Sequence, residues 1–137
     1  MIRVILGKKG TGKTKKLLDS IELAAKDEKG SVVFINRGTR HIYDVRHDVR
    51  LIDTSEFELC DFSAFLGFIS GVISQDFDIA HIFVDSVTKI VADDITKLGA
   101  FLDDLNKLGG KFNTKFTLTI SLDPSEVDDS VKKYVKD

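Results

Sequence analysis

Residues 2–14 read Ile2-Arg3-Val4-Ile5-Leu6-Gly7-Lys8-Lys9-Gly10-Thr11-Gly12-Lys13-Thr14, and their order sets the expected architecture. The apolar run Ile2–Leu6, ending at a glycine, is the pattern of a short buried strand. From Lys13 onward Leu17, Leu18, Ile21, Ala24 and Ala25 recur at three- and four-residue spacing, the periodicity of a helix with one buried face. Gly30 is placed to stop that helix. Between strand and helix, residues 7–14 fit the spacing GxxxxGK[ST]. Glycines at those positions let successive backbone N–H groups turn inward as an anion nest, and the helix N-terminus adds its partial positive charge.

Outward from this unit the alternation continues. Ser31–Asn36 is rich in β-branched residues and reads as a second buried strand. Residues 37–48 are polar and irregular, and 49–52 form a third short strand. Phe62, Phe65, Leu66, Ile69, Val72 and Ile73 mark one face of a helix that Asp61 or Ser63 would cap. A strand over 81–84 comes next. It is followed by a helix carrying Ile95, Leu98, Leu102, Leu105 and Leu108 and closed by Gly109-Gly110. Residues 116–121 form the last strand. Asp123-Pro124-Ser125-Glu126 then has the acidic cap, first-turn proline and later glutamate that open a helix, expected to run to about Tyr134. Strands joined by helical crossovers of this length imply one α/β domain over residues 1–137, with three layers, a mostly parallel sheet of about five strands and helices on both faces.

Composition narrows the function classes. With 42% hydrophobic and 31% charged residues, the chain is globular rather than disordered. A net charge of −2 argues against nucleic-acid binding through bulk charge. The single cysteine, Cys60, excludes an internal disulfide framework and a multi-cysteine zinc site. No window approaches the uninterrupted apolar length of a membrane span, and the expected location is the cytoplasm.

In open parallel sheets, ligands bind outside the carboxyl ends of the strands. Residues 7–14, 36–40, 53–55, 85–89 and 121–123 therefore hold the candidate site. In the first of these, Lys13 would reach the β- and γ-phosphates of a nucleotide while the Thr14 hydroxyl ligates Mg²⁺. The whole stretch Gly7, Lys8, Lys9, Gly10, Thr11, Gly12, Lys13 and Thr14 would cradle the phosphates. At these residues the chain resembles the P-loop NTPase superfamily. It is also similar to short stand-alone bacterial proteins of that superfamily, some labelled pilus-retraction ATPases. The motors behind that label are longer and carry acidic and histidine boxes that do not occur in this sequence.

The resemblance implies an acidic residue at the end of a later apolar strand. Asp85, closing His81-Ile82-Phe83-Val84-Asp85, matches that Walker B aspartate and would hold Mg²⁺ with Thr14. The resemblance thus implies ATP and Mg²⁺ as ligands and Lys13 and Asp85 as the residues acting on phosphate and metal. ATP is preferred over GTP because no Asn-Lys-x-Asp sequence occurs. Many ATP-hydrolysing members carry a glutamate after the aspartate, whereas this chain has Ser86. Asp53 is either a substitute carboxylate or a turn residue. Ser121, at the tip of the last strand, is a candidate sensor of the terminal phosphate.

Arg37, Arg40, Arg46 and Arg50 cluster, interleaved with His41 and His47. The segment from Arg37 to Arg50 either pairs with phosphate, an acidic partner or a second copy of the chain, or forms internal ion pairs with Asp44, Asp48 and Asp53. An arginine from a neighbouring copy, Arg37 or Arg40, would then complete the site. The spacing of His41, Asp44 and His47 also admits a metal. Lys8, Lys9, Lys15 and Lys16 either attract anions or are solvated, and Phe68 falls off the main apolar face of its helix, hinting at a partner surface. Three functions remain open: a slow Mg²⁺-dependent NTPase, a non-hydrolysing nucleotide sensor or assembly module, and a small-molecule kinase with Asp53 as base.

Overall fold

The computed structural model describes residues 1–136. The elements follow as β1 (Ile2–Leu6), α1 (Lys13–Asp27), β2 (Ser31–Asn36), β3 (Arg50–Asp53), α2 (Phe62–Ser74), β4 (Ile79–Val84), α3 (Val87–Ile90), α4 (Leu98–Phe112), β5 (Lys115–Ile120) and α5 (Asp129–Lys132). The strands form one sheet in the order β1-β5-β4-β2-β3, with every neighbouring pair parallel. The expected α/β architecture is therefore present, with five parallel strands. Side chains alternate across them, so β2 and β4, inside the sheet, feed a core on each face. On one face Leu17, Ile21 and Ala24 of α1 bury Val32, Phe34 and Phe83. On the other, Phe65 and Ile69 of α2 and Leu98, Leu102 and Leu105 of α4 cover Val33, Ile35, Ile82, Val84 and Leu118.

Several boundaries differ from the sequence reading. Helix α1 stops at Asp27, ahead of Gly30, with Glu28 already extended. The third strand is Arg50–Asp53, while Val49 drops into the α1-side core. Of the two offered caps for α2, Asp61 accepts from Ala64 N at 2.7 Å. The tail also departs. Asp123 and Glu126 form the reciprocal capping box, yet they cap only a single 3₁₀ turn, Pro124–Glu126. Val127 is extended and only 8% exposed, and Asp128 begins α5 separately by accepting from Ser130 N at 2.9 Å. Burying Val127 and Val131 in the α4-side core outweighs continuing one helix. The tail then pairs with β1: Val4 N donates to Tyr134 O at 2.8 Å and Lys136 N to Val4 O at 2.9 Å, covering what would be an open sheet edge.

Gly109 and Gly110 do not close α4, which continues to Phe112 and is capped by Asn113 at φ 55°. A Cβ on Gly109 would lie 2.5 Å from the Thr114 carbonyl oxygen and 3.2 Å from the Phe116 ring, whereas one on Gly110 would meet nothing within 4 Å. The first glycine permits a close return of the chain into β5, and the second only weakens a helix. Gly109→Ala is expected to destabilise the fold by about 1–3 kcal/mol. Gly110→Ala is expected to stabilise it by roughly 0.5–1 kcal/mol. Paired urea unfolding curves check this, and shifts of the same sign would contradict it.

His81 lies between sheet and solvent in β4, stacked on Phe83 at 3.9 Å, with Nε2 2.8 Å from the Thr117 hydroxyl. Burial pushes its pKa down to about 4, against the attraction of Glu28. The folded state thus favours neutral imidazole. The stabilisation is complete above the ordinary histidine pKa and is lost as pH falls from about 6.5 toward about 4, before most carboxylates titrate, by up to roughly 3 kcal/mol. Stability of His81→Gln should be flatter than wild type across that window in denaturation at graded pH.

Candidate functional site

The loop between β1 and α1 begins with Gly7, where a Cβ would lie 2.5 Å from Thr11 Oγ1. Thr11 bonds the Lys8 carbonyl through both its hydroxyl, at 2.8 Å, and its N–H, at 3.3 Å. Gly10 and Gly12 follow at φ 87° and 83°, the left-handed region that favours glycine. Gly12 caps α1 without a side-chain hydrogen bond. The first-turn N–H groups at Lys13 and Thr14 therefore have no helical carbonyl to bond and point out of the helix start. Lys13 is only 7% exposed, and its ammonium donates to Lys8 O at 2.9 Å. Burial lowers its pKa, Asp85 opposes that, and the charge of Lys89 lowers it further.

Sheet order brings the second half of the site to this loop. Strand β5 lies between β1 and β4, so Thr119, in register with Ile5, stands beside Asp85 at the end of β4. Thr14 Oγ1 sits 3.3 Å from each Asp85 carboxylate oxygen, and Thr119 Oγ1 donates to Asp85 Oδ1 at 2.6 Å. The same Thr119 hydroxyl accepts from Ser86 N at 2.7 Å. Ser86 itself adopts φ 57° and ψ 63°, a left-handed backbone rare for a non-glycine residue, and caps the short α3. Asp85 is 5% exposed and Thr119 fully buried.

Above these groups opens a cleft of about 310 Å³ lined by Lys9, Gly10, Gly12, Lys13, Thr14, Arg40, Ser86, Lys89 and Ser121. Four of its lining residues are cationic and none is acidic, in a chain whose net charge is −2. No protein-family model and no curated protein matches the chain. The chemical reading therefore rests on this geometry: backbone donors and a buried ammonium suited to an anion, next to two hard oxygen donors, Thr14 and Asp85, suited to a small divalent cation.

The other candidates separate. Ser121 and Arg40 line the cleft. Asp53 does not face the cleft as a free carboxylate. Its Oδ1 accepts from Gly38 N at 2.6 Å and Ser55 N at 2.9 Å, and the N–H groups of Ser55 and Gly38 hold its pKa below the ordinary range. It is a turn clamp. Lys8 pairs with Asp123 and Lys15 with Asp19. His41 Nδ1 meets Asp44 at 2.8 Å without His47, and among the described residues no three His, Cys, Asp or Glu side chains assemble to hold a metal. Phe68 packs against the exposed Phe57, the ring centroids 5.4 Å apart and the planes tilted by 57°. Among the described residues no helix is long and apolar enough to cross a membrane.

Thr119 and the α3 turn escaped the sequence reading. Strand alternation marks Thr119 as inward-facing but does not say that its hydroxyl would meet a carboxylate from another strand. Thr119→Val leaves Asp85 with the longer Thr14 contact alone and Ser86 N without an acceptor, and is expected to cost about 1–3 kcal/mol, with Thr119→Ser recovering most of it. Guanidinium midpoints of the three proteins test this; a Val variant as stable as wild type would show that the Thr119 bonds to Asp85 and Ser86 do not support the fold.

Proposed function

We propose that the chain binds a nucleoside triphosphate, ATP in preference to GTP, together with Mg²⁺, and hydrolyses it slowly, in the manner of a P-loop NTPase. The observation that carries the reading is the meeting of Thr14 and Asp85, 3.3 Å apart, beside a buried Lys13 at the head of a glycine-turned loop. The loop N–H groups and Lys13 bind the β- and γ-phosphates, for which Lys13 must leave the Lys8 carbonyl. Thr14 and Asp85 fit Mg²⁺, which takes few protein oxygens and completes its shell with phosphate and water. When bound, the ion neutralises charge developing on the phosphate oxygens. Thr119 fixes the Asp85 carboxylate toward Thr14.

Hydrolysis is slow in this reading because the cleft is lined by Ser86, Ser121, Lys89 and Arg40, with no carboxylate or imidazole among its lining residues to take a proton from water. Turnover of roughly 10⁻⁴ to 10⁻² s⁻¹ is expected, as for phosphate-loop domains lacking a complete catalytic set. The same wall favours a second reading, a sensor that binds without hydrolysing and reports the bound state to a partner. For the kinase reading, less supported, the base is Asp53, whose Oδ1 already accepts from Gly38 N and Ser55 N.

At a hundredfold excess over Kd, Mg·ATP should stabilise the fold by about 2.7 kcal/mol, seen as a raised Tm. Lys13→Ala should abolish the shift, and Asp85→Asn should remove mainly its Mg²⁺-dependent part. Equal shifts in wild type and Lys13→Ala would refute nucleotide binding at this loop. Binding without measurable turnover would select the sensor, and a rate above about 1 s⁻¹ would refute the slow-hydrolysis argument.

A further inference from the structure

The four arginines from the end of β2 to the start of β3 divide by what they touch. Arg46 pairs with Asp48 at 3.2 Å and Arg50 with Asp76 at 3.1 Å. Arg37 donates to the Lys89 carbonyl at 3.1 Å, tying the start of the segment to α3. Arg40 remains, and it lines the cleft beside Lys13, Thr14 and Lys89. Among the described residues no carboxylate lies within ion-pair distance of Arg40 or Lys89.

We infer that Arg40 and Lys89 of the same chain grip the terminal phosphate, making the segment after β2 the element that distinguishes a triphosphate from a diphosphate. The inference rests on the nucleotide-binding reading and assigns its specificity. Two anchors give Arg40 a defined place. Both hold the backbone leading into Arg40: Gly38 N donates to Asp53 Oδ1 at 2.6 Å, and Arg37 donates to the Lys89 carbonyl, which links the segment to the helix carrying Lys89. Lys13, Lys89 and Arg40, with Lys9 at the loop, then line one small volume with no acidic lining residue. Guanidinium groups bind phosphate through paired N–H donors, a geometry an ammonium does not reproduce.

Calorimetric titration of the full chain with Mg·ATP and Mg·ADP tests the grip. Arg40→Ala should weaken Mg·ATP by about tenfold or more and Mg·ADP by less than about threefold, with Arg40→Lys between, since one charge-assisted bond is removed at the terminal phosphate. A Lys89→Ala variant should shift the ratio in the same direction. Mixing Arg40→Ala with Lys13→Ala protein should restore neither binding nor turnover, because both residues act within one chain. Restoration on mixing would mean that Arg40 serves a neighbouring copy and would overturn the inference. Equal losses for both nucleotides would overturn it too, by making Arg40 a general anion attractor. Wild type that binds Mg·ATP while Arg40→Ala binds it equally well removes the grip but leaves the nucleotide reading standing. Wild type that binds no nucleotide removes both.

Discussion

A carboxylate at the end of a central strand, 5% exposed, has to be matched by donors, and the way Asp85 is matched organises the rest of the site. Its donors come from two other places in the chain, the Thr14 hydroxyl at the start of α1 and the Thr119 hydroxyl on β5. Each of these also fixes something else. Thr119 accepts from Ser86 N and so holds a left-handed residue that turns the chain from β4 into α3. Thr14 stands in the first helical turn after Gly12, so its position depends on the glycine-turned loop. One buried acid therefore ties β1, β4 and β5 together at their carboxyl ends, where a parallel sheet opens toward ligand.

Strand order makes this possible. If β1 and β4 were direct neighbours, Asp85 would have no β5 hydroxyl beside it. Placing β5 between them puts the register pair Ile5 and Thr119 one strand from the acid and leaves room above for a cleft walled by the loop on one side and by Ser86 and Lys89 on the other. The same order leaves β1 at an edge, and the tail at Tyr134 and Lys136 covers it by pairing with Val4. The tail's hydrogen bonds thus protect the strand that carries the loop.

Most of the fold was readable from the chain because its signals are local: apolar runs of strand length, helical spacing, and the Asp123 capping box that does form. What was misread depends on distant partners. Gly109 looked like a helix stop, but it is small because the Thr114 carbonyl returns against it, and the actual stop is Asn113. The capping box signalled a helix start correctly, yet the pull of Val127 and Val131 into a core from another part of the sequence broke the helix after one turn. Within the site, residues 7–14 and Asp85 were readable as a motif, and the structure brings Thr14 and Asp85 together. The partner role of Thr119 was not, since a threonine in a strand carries the same pattern whatever its hydroxyl meets.

The arginine segment shows why a charge cluster alone says little. Its four arginines look equivalent in the sequence, with three aspartates, Asp44, Asp48 and Asp53, interleaved or adjacent. The fold sorts them by geometry. Asp48 and Asp76 consume two arginines, a carbonyl accepts from a third, and Asp53 accepts from backbone N–H groups with the Arg37 charge nearby. The interleaved acids therefore do not cancel the charge that matters. They hold the segment in shape, and the uncompensated remainder, Arg40, faces the cleft. A weakly acidic chain thereby presents a locally cationic cleft, because long-range net charge is screened within about 10 Å while desolvated neighbours are not.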